Sequence, residues 1–537
     1  VSAEGESVSA GGAAGTAGTA GHPLRDLLRM AAPTVATMAS YTVMTFVDGL
    51  MASRIGPEAV YVAAQGNGNI ASFVPISVVM GVVGVISTFV SQHLGAGRPE
   101  RGAAYAWNGL WICAMAAVAL VPYALAVPWL FRAMGHGARL VELESSYARV
   151  LLLGAFLTMA TRSLAQYFYG MHRPMIVLGA ALAGNAANVF ASVVLIFGPA
   201  GATASLLDLA GPAGRPVLEA IAGAAQWTAA ALGVPALGLT GAAAGTLVGT
   251  LVELAIPLAA FLGPRYGRIY GARAAWRPSA RHLREIVRLG WAPGLMFGNE
   301  IVCWAIFLAV LVAGFGTEHN TAGWIALRYM HLSFMPAVGI SYAVTALVGR
   351  CMGMGRPDLA ARRAMLGLGV TVAYMGACAL AFVLFPRAMV GYFIDPATGQ
   401  AEREAILAIG VGVMYVAAVF QVFDAMGITL VGALRGAGDT VWPGAVTILL
   451  SWTCIVGVGG ALAWARPGWG SLGPWSGAGL YIVLLGIFLV GRFVGGRWKG
   501  IRLVEAPGPG GPGIGGGEAP ALSGPVGAAA SGGDSSR

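Results

Sequence analysis

Charge is scarce in this sequence. Asp, Glu, Lys and Arg together make up 10% of 537 residues, while 57% are hydrophobic, against roughly a quarter charged and half apolar in a soluble domain. Too little polar surface is available to cover a water-soluble fold of this length. Lysine is almost missing: Lys499 is the only one, and Gly500 follows it. A phosphate-binding loop needs Gly-Lys-Ser/Thr, so ATP hydrolysis by that route is excluded. The five cysteines, Cys113, Cys303, Cys351, Cys378 and Cys454, are scattered without a C-x-x-C pair, which removes a zinc site or thiol-redox motif from consideration. No nucleophile elbow, HExxH or paired-metal spacing occurs, and no catalytic pair is visible. An enzyme is not expected, nor a resident cofactor or metal. The net charge of +9 is no nucleic-acid footprint either, because the arginines sit between apolar segments.

What is present is length. A bilayer span needs about 20 mostly apolar residues, and stretches such as 151–171, 287–314 and 366–385 supply them repeatedly. With Pro/Gly clusters and arginines taken as stops, helices are expected near 30–54, 66–93, 103–131, 145–171, 174–198, 236–262, 285–314, 322–349, 362–385, 404–433, 441–465 and 472–495. The predicted fold class is all-α integral membrane, with twelve transmembrane helices. An even count puts both termini on one side. On that topology most arginines, including the cluster 265–288, lie on the terminus-bearing side, and the opposite loops hold only Arg54, Arg132, Arg139, Arg149, Arg215, Arg387, Arg403 and Arg466. The positive-inside rule then makes the termini cytoplasmic.

The chain repeats itself. Arg25-Asp26-Leu27-Leu28-Arg29 returns as Arg284-Glu285-Ile286-Val287-Arg288, and Gly95-Ala96-Gly97-Arg98-Pro99-Glu100 as Gly353-Met354-Gly355-Arg356-Pro357-Asp358. The two landmarks share nearly one offset, so two homologous six-helix lobes are expected, 24–262 and 284–496, joined by a basic cytoplasmic linker at 263–283. Parallel repeats of this kind are related by a pseudo-two-fold axis along the membrane normal, with a substrate path between them near the midplane. Tails 1–23 and 497–537, rich in Gly, Ala, Ser and Pro, are expected to be disordered; residues 1–21 lack the basic and apolar regions of a signal peptide. The sequence begins at Val1 and not at methionine, which leaves the completeness of the N-terminus open. The stretch 199–235 is long and faces outside, with a weak amphipathic pattern at 217–232 that reads as a short surface helix without assigned function.

Nearly all acidic residues fall in loops or tails. Four do not: Asp48, Glu253, Glu300 and Asp424. A carboxylate at bilayer depth costs a few kcal/mol by mild scales, so each needs a partner, a proton or a wet cavity. Asp48 lies late in the first helix and Asp424 in the middle of the tenth. Glu300 follows Pro293 and is placed to meet Asp424. Glu253 reads equally as a packing partner or a gate. Arg162 and Arg328 are the candidate intramembrane cations. His331 could titrate near neutral pH, although a lone intramembrane histidine is more often packed. The Gly95-Ala96-Gly97 and Gly436-Ala437-Gly438 runs read as tight cytoplasmic turns.

These residues resemble a family pattern, that of the multidrug and toxic compound extrusion (MATE) transporters, over roughly 24–495. Its carriers are Val47-Asp48, Ser91-Gln92 with the Gly95-Ala96-Gly97 turn, Phe334 with Pro336, Val348-Gly349-Arg350, and Phe423-Asp424 followed by Leu434-Arg435-Gly436-Ala437-Gly438-Asp439-Thr440. The resemblance implies antiport: a proton or sodium ion enters as an organic, cationic or amphiphilic compound leaves by alternating access. It places cation coupling on Asp48 and Asn188 in the N-terminal lobe and on Glu300 and Asp424 in the C-terminal lobe. Ser192 stands where many relatives carry a second aspartate, which puts N-lobe sodium binding in doubt, and Phe420 stands where a tyrosine occurs. Ser192, Phe420, Glu253, Gln92 and Arg328 are the expected supporting residues. The implied setting is a monomer in the plasma membrane whose partners are a small organic substrate and the lipid bilayer. The alternative within the superfamily is a flippase for lipid-linked saccharides or other amphiphiles.

Overall fold

The computed structural model describes residues 22–56, 60–200, 211–394 and 399–504. Among them the chain is helical throughout, without a β-strand. The expected tails over 1–21 and 505–537 lie outside the described residues.

Twelve spans follow in order: α1 Pro23–Ala52, α2 Val60–Gly95, α3 Pro99–Ala133, α4 Ala138–Leu153 with Ala155–Gly170, α5 Pro174–Phe197, α6 Gly238–Leu262, α7 Ala280–Phe315, α8 Thr317–Gly353, α9 Pro357–Leu384, α10 Gln400–Ala437, α11 Val441–Ala465 and α12 Leu472–Val494. Eleven are each long and apolar enough to cross a bilayer, and the twelfth, α4, is bent by 48° at Gly154, where the Leu247 side chain of α6 fills the space a Cβ would occupy. Several helices begin before the expected positions. Arginines taken as stops lie inside the helices: Arg25 and Arg29 belong to α1, and Asp26 between them pairs with Arg363 of α9 at 3.0 Å. Long charged side chains at a span's end reach the interface while the backbone stays helical.

The repeated glycine motif makes the same turn in both lobes. Gly97 and Gly355 are left-handed, at φ 72° and 70°, a conformation glycine adopts without a Cβ clash. The amides of Arg98 and Arg356 donate back to the carbonyls of His93 and Cys351, and Pro99 and Pro357 then open α3 and α9. This is a helix stop that satisfies the last carbonyls. The run 436–438 ends α10 similarly, with Gly438 at φ 94°.

Within 199–235 a helix forms over Gly211–Leu232; residues 201–210 lie outside the described residues. Its Ala225 and Ala229 are buried while Trp227 is 74% exposed. At the other end order continues past residue 496, where a disordered tail was expected. Arg497–Gly500 makes a short turn, and Trp498 is buried against Phe493 with ring centroids 4.9 Å apart. One tryptophan holds eight more residues against α12 and α10.

α1 to α6 and α7 to α12 form two lobes. They meet through small residues at the end that carries the termini. A Cβ on Gly95 would lie 2.0 Å from the Arg350 carbonyl oxygen, and one on Gly353 would lie 1.9 Å from that of Gln92. Thr34 donates to the carbonyl of Gly339 at 2.7 Å, Thr88 to that of Arg435 at 2.8 Å and Gln92 to that of Gly436 at 3.0 Å. Every cross-lobe side-chain hydrogen bond among the described residues falls in this half of the helices. The lobes are sealed there, and no such bond closes the other half. The linker lies along α3, where Trp107 donates to the carbonyl of Ala272 at 2.6 Å and Asn108 accepts from the amide of Ser279 at 2.9 Å.

Candidate functional site

In the N-terminal lobe the site starts from glycine. Gly241, Gly245 and Gly249 recur every fourth residue on α6, a small-residue stripe that lets helices approach closely in lipid. A Cβ on Gly245 would meet Ser192 Oγ at 2.3 Å, and one on Gly249 would meet Asn188 Cβ at 2.5 Å. Pressed between α6 and α1, Asn188 turns its amide onto Asp48: Nδ2 lies 3.4 Å from Oδ1 and 3.5 Å from Oδ2. Ser192 donates to Asn188 Oδ1 at 2.9 Å, which fixes the orientation of that amide. Gln65 donates to the Asp48 backbone carbonyl at 3.2 Å, and Tyr147 is within electrostatic reach of the carboxylate. Asp48 is only half-buried. The expected trio of Asp48, Asn188 and Ser192 is thus brought together, with Gln65 and Tyr147 added.

Glu253 gains the context that the sequence did not give it. It accepts a hydrogen bond from the Tyr41 hydroxyl. The guanidinium of Arg162 stacks on the ring of the same tyrosine at 4.4 Å. Glu253, Tyr169 and, from the other lobe, Tyr342 lie within its electrostatic reach.

In the C-terminal lobe Glu300 and Asp424 are electrostatic neighbours, as expected. Tyr481 of α12 donates to Glu300 Oε1 at 3.0 Å and also lies near Asp424. Among the described residues the Asp424 carboxylate accepts no hydrogen bond. Both acids are half-buried, so each keeps an open side. Phe420 is buried in the apolar core of this lobe.

Two expected supporting residues do not join either cluster. Gln92 belongs to the seal between the lobes. Arg328 is exposed and stacks on Phe393 at 5.4 Å; early in α8 it reaches the loop after α9. His331 is likewise exposed. A fifth acid was missed. Glu144 is fully buried, contacting His136 Nδ1 at 2.8 Å and Asn67 Nδ2 at 3.1 Å. It falls one residue before the expected start of α4 at 145, while the observed helix begins at Ala138. Tyr481, Tyr147 and Arg162 were also not singled out for the site. Their only signal is a polar group inside an otherwise apolar run.

Among the described residues no group of His, Cys, Asp and Glu has the arrangement of a metal site. What the two clusters offer is exchange of a proton or small cation at carboxylates open on one side.

The comparisons agree with this architecture. The family model MatE matches residues 33–194 and again 296–457, once in each lobe. A protein of Pseudomonas putida named "Probable multidrug resistance protein NorM" is 31% identical over 90% of this chain and 96% of its own length. A Synechococcus protein of the same name is 28% identical over 88% and 94%. Among solved structures, that of MATE in the straight conformation has a TM-score of 0.72 at 22% identity, covering 89% of this chain and 97% of that one. At that identity the likeness shows the fold. With the model matched in both lobes and a relative above 30% identity along nearly the whole chain, this protein belongs to the MatE family, the multidrug and toxic compound extrusion transporters, and is a multi-pass membrane transporter rather than an enzyme.

Proposed function

We propose that the protein is a secondary active efflux transporter that exchanges protons or sodium ions for organic compounds, cationic or amphiphilic in character, by alternating access. The observation that carries this reading is the Asp48–Asn188 pair, a half-buried carboxylate in a lobe that, among the described residues, is hydrogen-bonded through side chains to its partner at only one end. The names of the relatives, multidrug resistance proteins, support the substrate class. In this reading the termini are cytoplasmic, the open end of the cleft faces outside, and the protein works in the plasma membrane as a monomer.

Ion and substrate act on the same equilibrium. A ligand shifts it only by binding the two arrangements of the lobes unequally. A cation arriving from outside at Asp48, or at Glu300 and Asp424, changes the charge of the lobe that must rock. Moving one charge through 100 mV supplies about 2.3 kcal/mol, which sustains roughly a fifty-fold gradient. One ion per cycle is therefore sufficient.

The test is efflux of a fluorescent organic cation from proteoliposomes, with proton and sodium gradients imposed separately on the wild type, Asp48→Asn and Asp424→Asn. Efflux driven by one gradient and lost in at least one variant supports antiport and names the ion. If both variants transport normally with unchanged ion dependence, the mechanism is wrong. A folded wild type that answers neither gradient points to the flippase reading.

A further inference from the structure

We infer that the floor of the cleft holds a site for a carboxylate group on the transported compound, built by Arg162 of α4 and Arg435 of α10 around the ring of Tyr342. The inference rests on the reading of the chain as an exporter of organic compounds and narrows the substrate to those that carry an acidic group, with or without a cationic one.

Arg162 is half-buried in the part of α4 that lies at bilayer depth. Among the described residues its guanidinium makes no hydrogen bond and no ion pair; its contacts are the face of Tyr41 at 4.4 Å and the electrostatic neighbours Tyr342, Glu253 and Tyr169. Glu253 lies within its electrostatic reach but makes no ion pair with it; that carboxylate accepts from the Tyr41 hydroxyl. A planar guanidinium offers a fork of N–H donors matched to two carboxylate oxygens. Left without acceptors at this depth it is costly to keep.

The second cation comes from the opposite lobe. Arg435 lies in the last turn of α10, with its Cζ 5.5 Å from the Tyr342 ring centroid. Its Nε is buried without a hydrogen-bond partner, and its Nη2 has only a long contact of 3.4 Å to Thr345 Oγ1. Tyr342 itself stacks on Tyr169 at 5.4 Å with the rings 19° from parallel. Two under-satisfied guanidinium groups, one from each lobe, therefore converge on a pair of stacked rings at the interlobe seal. A compound with a carboxylate suits that arrangement, because the two arginines offer donors to its oxygens. A purely cationic compound gains nothing from the arginines and is repelled by them.

The test uses one dye in two forms. Rhodamine 110 carries a free carboxylate, and its methyl ester, rhodamine 123, does not. Binding of each to the purified full-length chain is followed by fluorescence anisotropy in detergent, with no ion gradient present. A failure of ion coupling therefore cannot imitate a failure of this site. The wild type is expected to bind the acid about tenfold more tightly than the ester, the scale of a lost charge-assisted hydrogen bond. Arg162→Gln should abolish that preference by weakening the acid without weakening the ester, and Arg162→Lys should restore part of it. Equal or tighter binding of the ester by the wild type overturns the proposal, as does an equal loss of both dyes in a folded Arg162→Gln. If the variant does not fold, competition of benzoate against benzamide on the wild type decides. Benzoate must displace the acid dye at least tenfold more effectively.

Discussion

Asn188 faces Asp48 through a single amide nitrogen, 3.4 Å from one carboxylate oxygen and 3.5 Å from the other, and its own carbonyl oxygen receives the Ser192 hydroxyl at 2.9 Å. The amide has little freedom to turn. Gly249 presses on its Cβ from behind. Gly249→Val should therefore displace Asn188 from its present position against Asp48 without altering either residue. Efflux is expected to fall roughly tenfold, the effect of one lost charge-assisted hydrogen bond. Circular dichroism should still report a helical fold. Retained activity in a folded Gly249→Val would mean that this contact does not set the coupling.

Ser192 should decide the ion. Its hydroxyl sits one turn beyond Asn188 and donates to that residue's carbonyl oxygen, while the amide nitrogen faces Asp48. A carboxylate there would join Asp48 and the Asn188 carbonyl in an oxygen-rich set, the ligand type that hard cations prefer. Ser192→Asp is expected to raise sodium binding and make efflux respond more strongly to a sodium gradient. Radioactive sodium binding to the purified protein measures this, and wild-type values in the variant would remove Ser192 as the determinant.

Tyr481 gives Glu300 its one hydrogen bond among the described residues. Tyr481→Phe keeps the ring and deletes the donor, a loss of about 0.5–1.5 kcal/mol for one hydrogen bond. The melting temperature in detergent should fall by several degrees, and efflux by roughly tenfold if Glu300 couples transport. A lower melting temperature with unchanged efflux would make the contact purely structural.

The lobes and their twelve spans were legible because a bilayer demands length and apolarity, and both are visible in one dimension. The turn repeated at Gly97 and Gly355 was legible for a similar reason: a left-handed residue before a proline is a local requirement. Asp48, Glu300 and Asp424 stood out because charge at depth is rare. Their partners did not. Tyr481 lies 181 residues from Glu300 in sequence, and nothing in an apolar run states which face of a helix meets another. Glu144 was hidden differently, by a helix boundary set at residue 145 although the helix begins at Ala138. Its partners His136 and Asn67 accommodate a carboxylate inside the span. Arg435 was assigned to a helix end because arginines were taken as stops, although it lies within α10.

The seal between the lobes supplies the clearest conformational test. Gly353 of α8 lies so close to α2 that a Cβ would stand 1.9 Å from the Gln92 carbonyl oxygen, and backbone cannot yield as a side-chain tip does. Gly353→Ala therefore penalises the arrangement in which this end is closed and leaves the opposite arrangement untouched. Overpacking costs about 1–3 kcal/mol, and at 2 kcal/mol the ratio of the two arrangements shifts roughly thirtyfold. Spin labels at Val62 and Trp324, exposed residues early in α2 and α8, should then report a larger population at short separation. Gly369→Ala serves as the control, since nothing lies within 4 Å of the Cβ it adds. The control should keep the wild-type distance distribution. If Gly353→Ala keeps it as well, the contact between α8 and α2 is not what holds this end shut, and the hydrogen bonds of Thr34, Thr88 and Gln92 must hold it without the glycine contact.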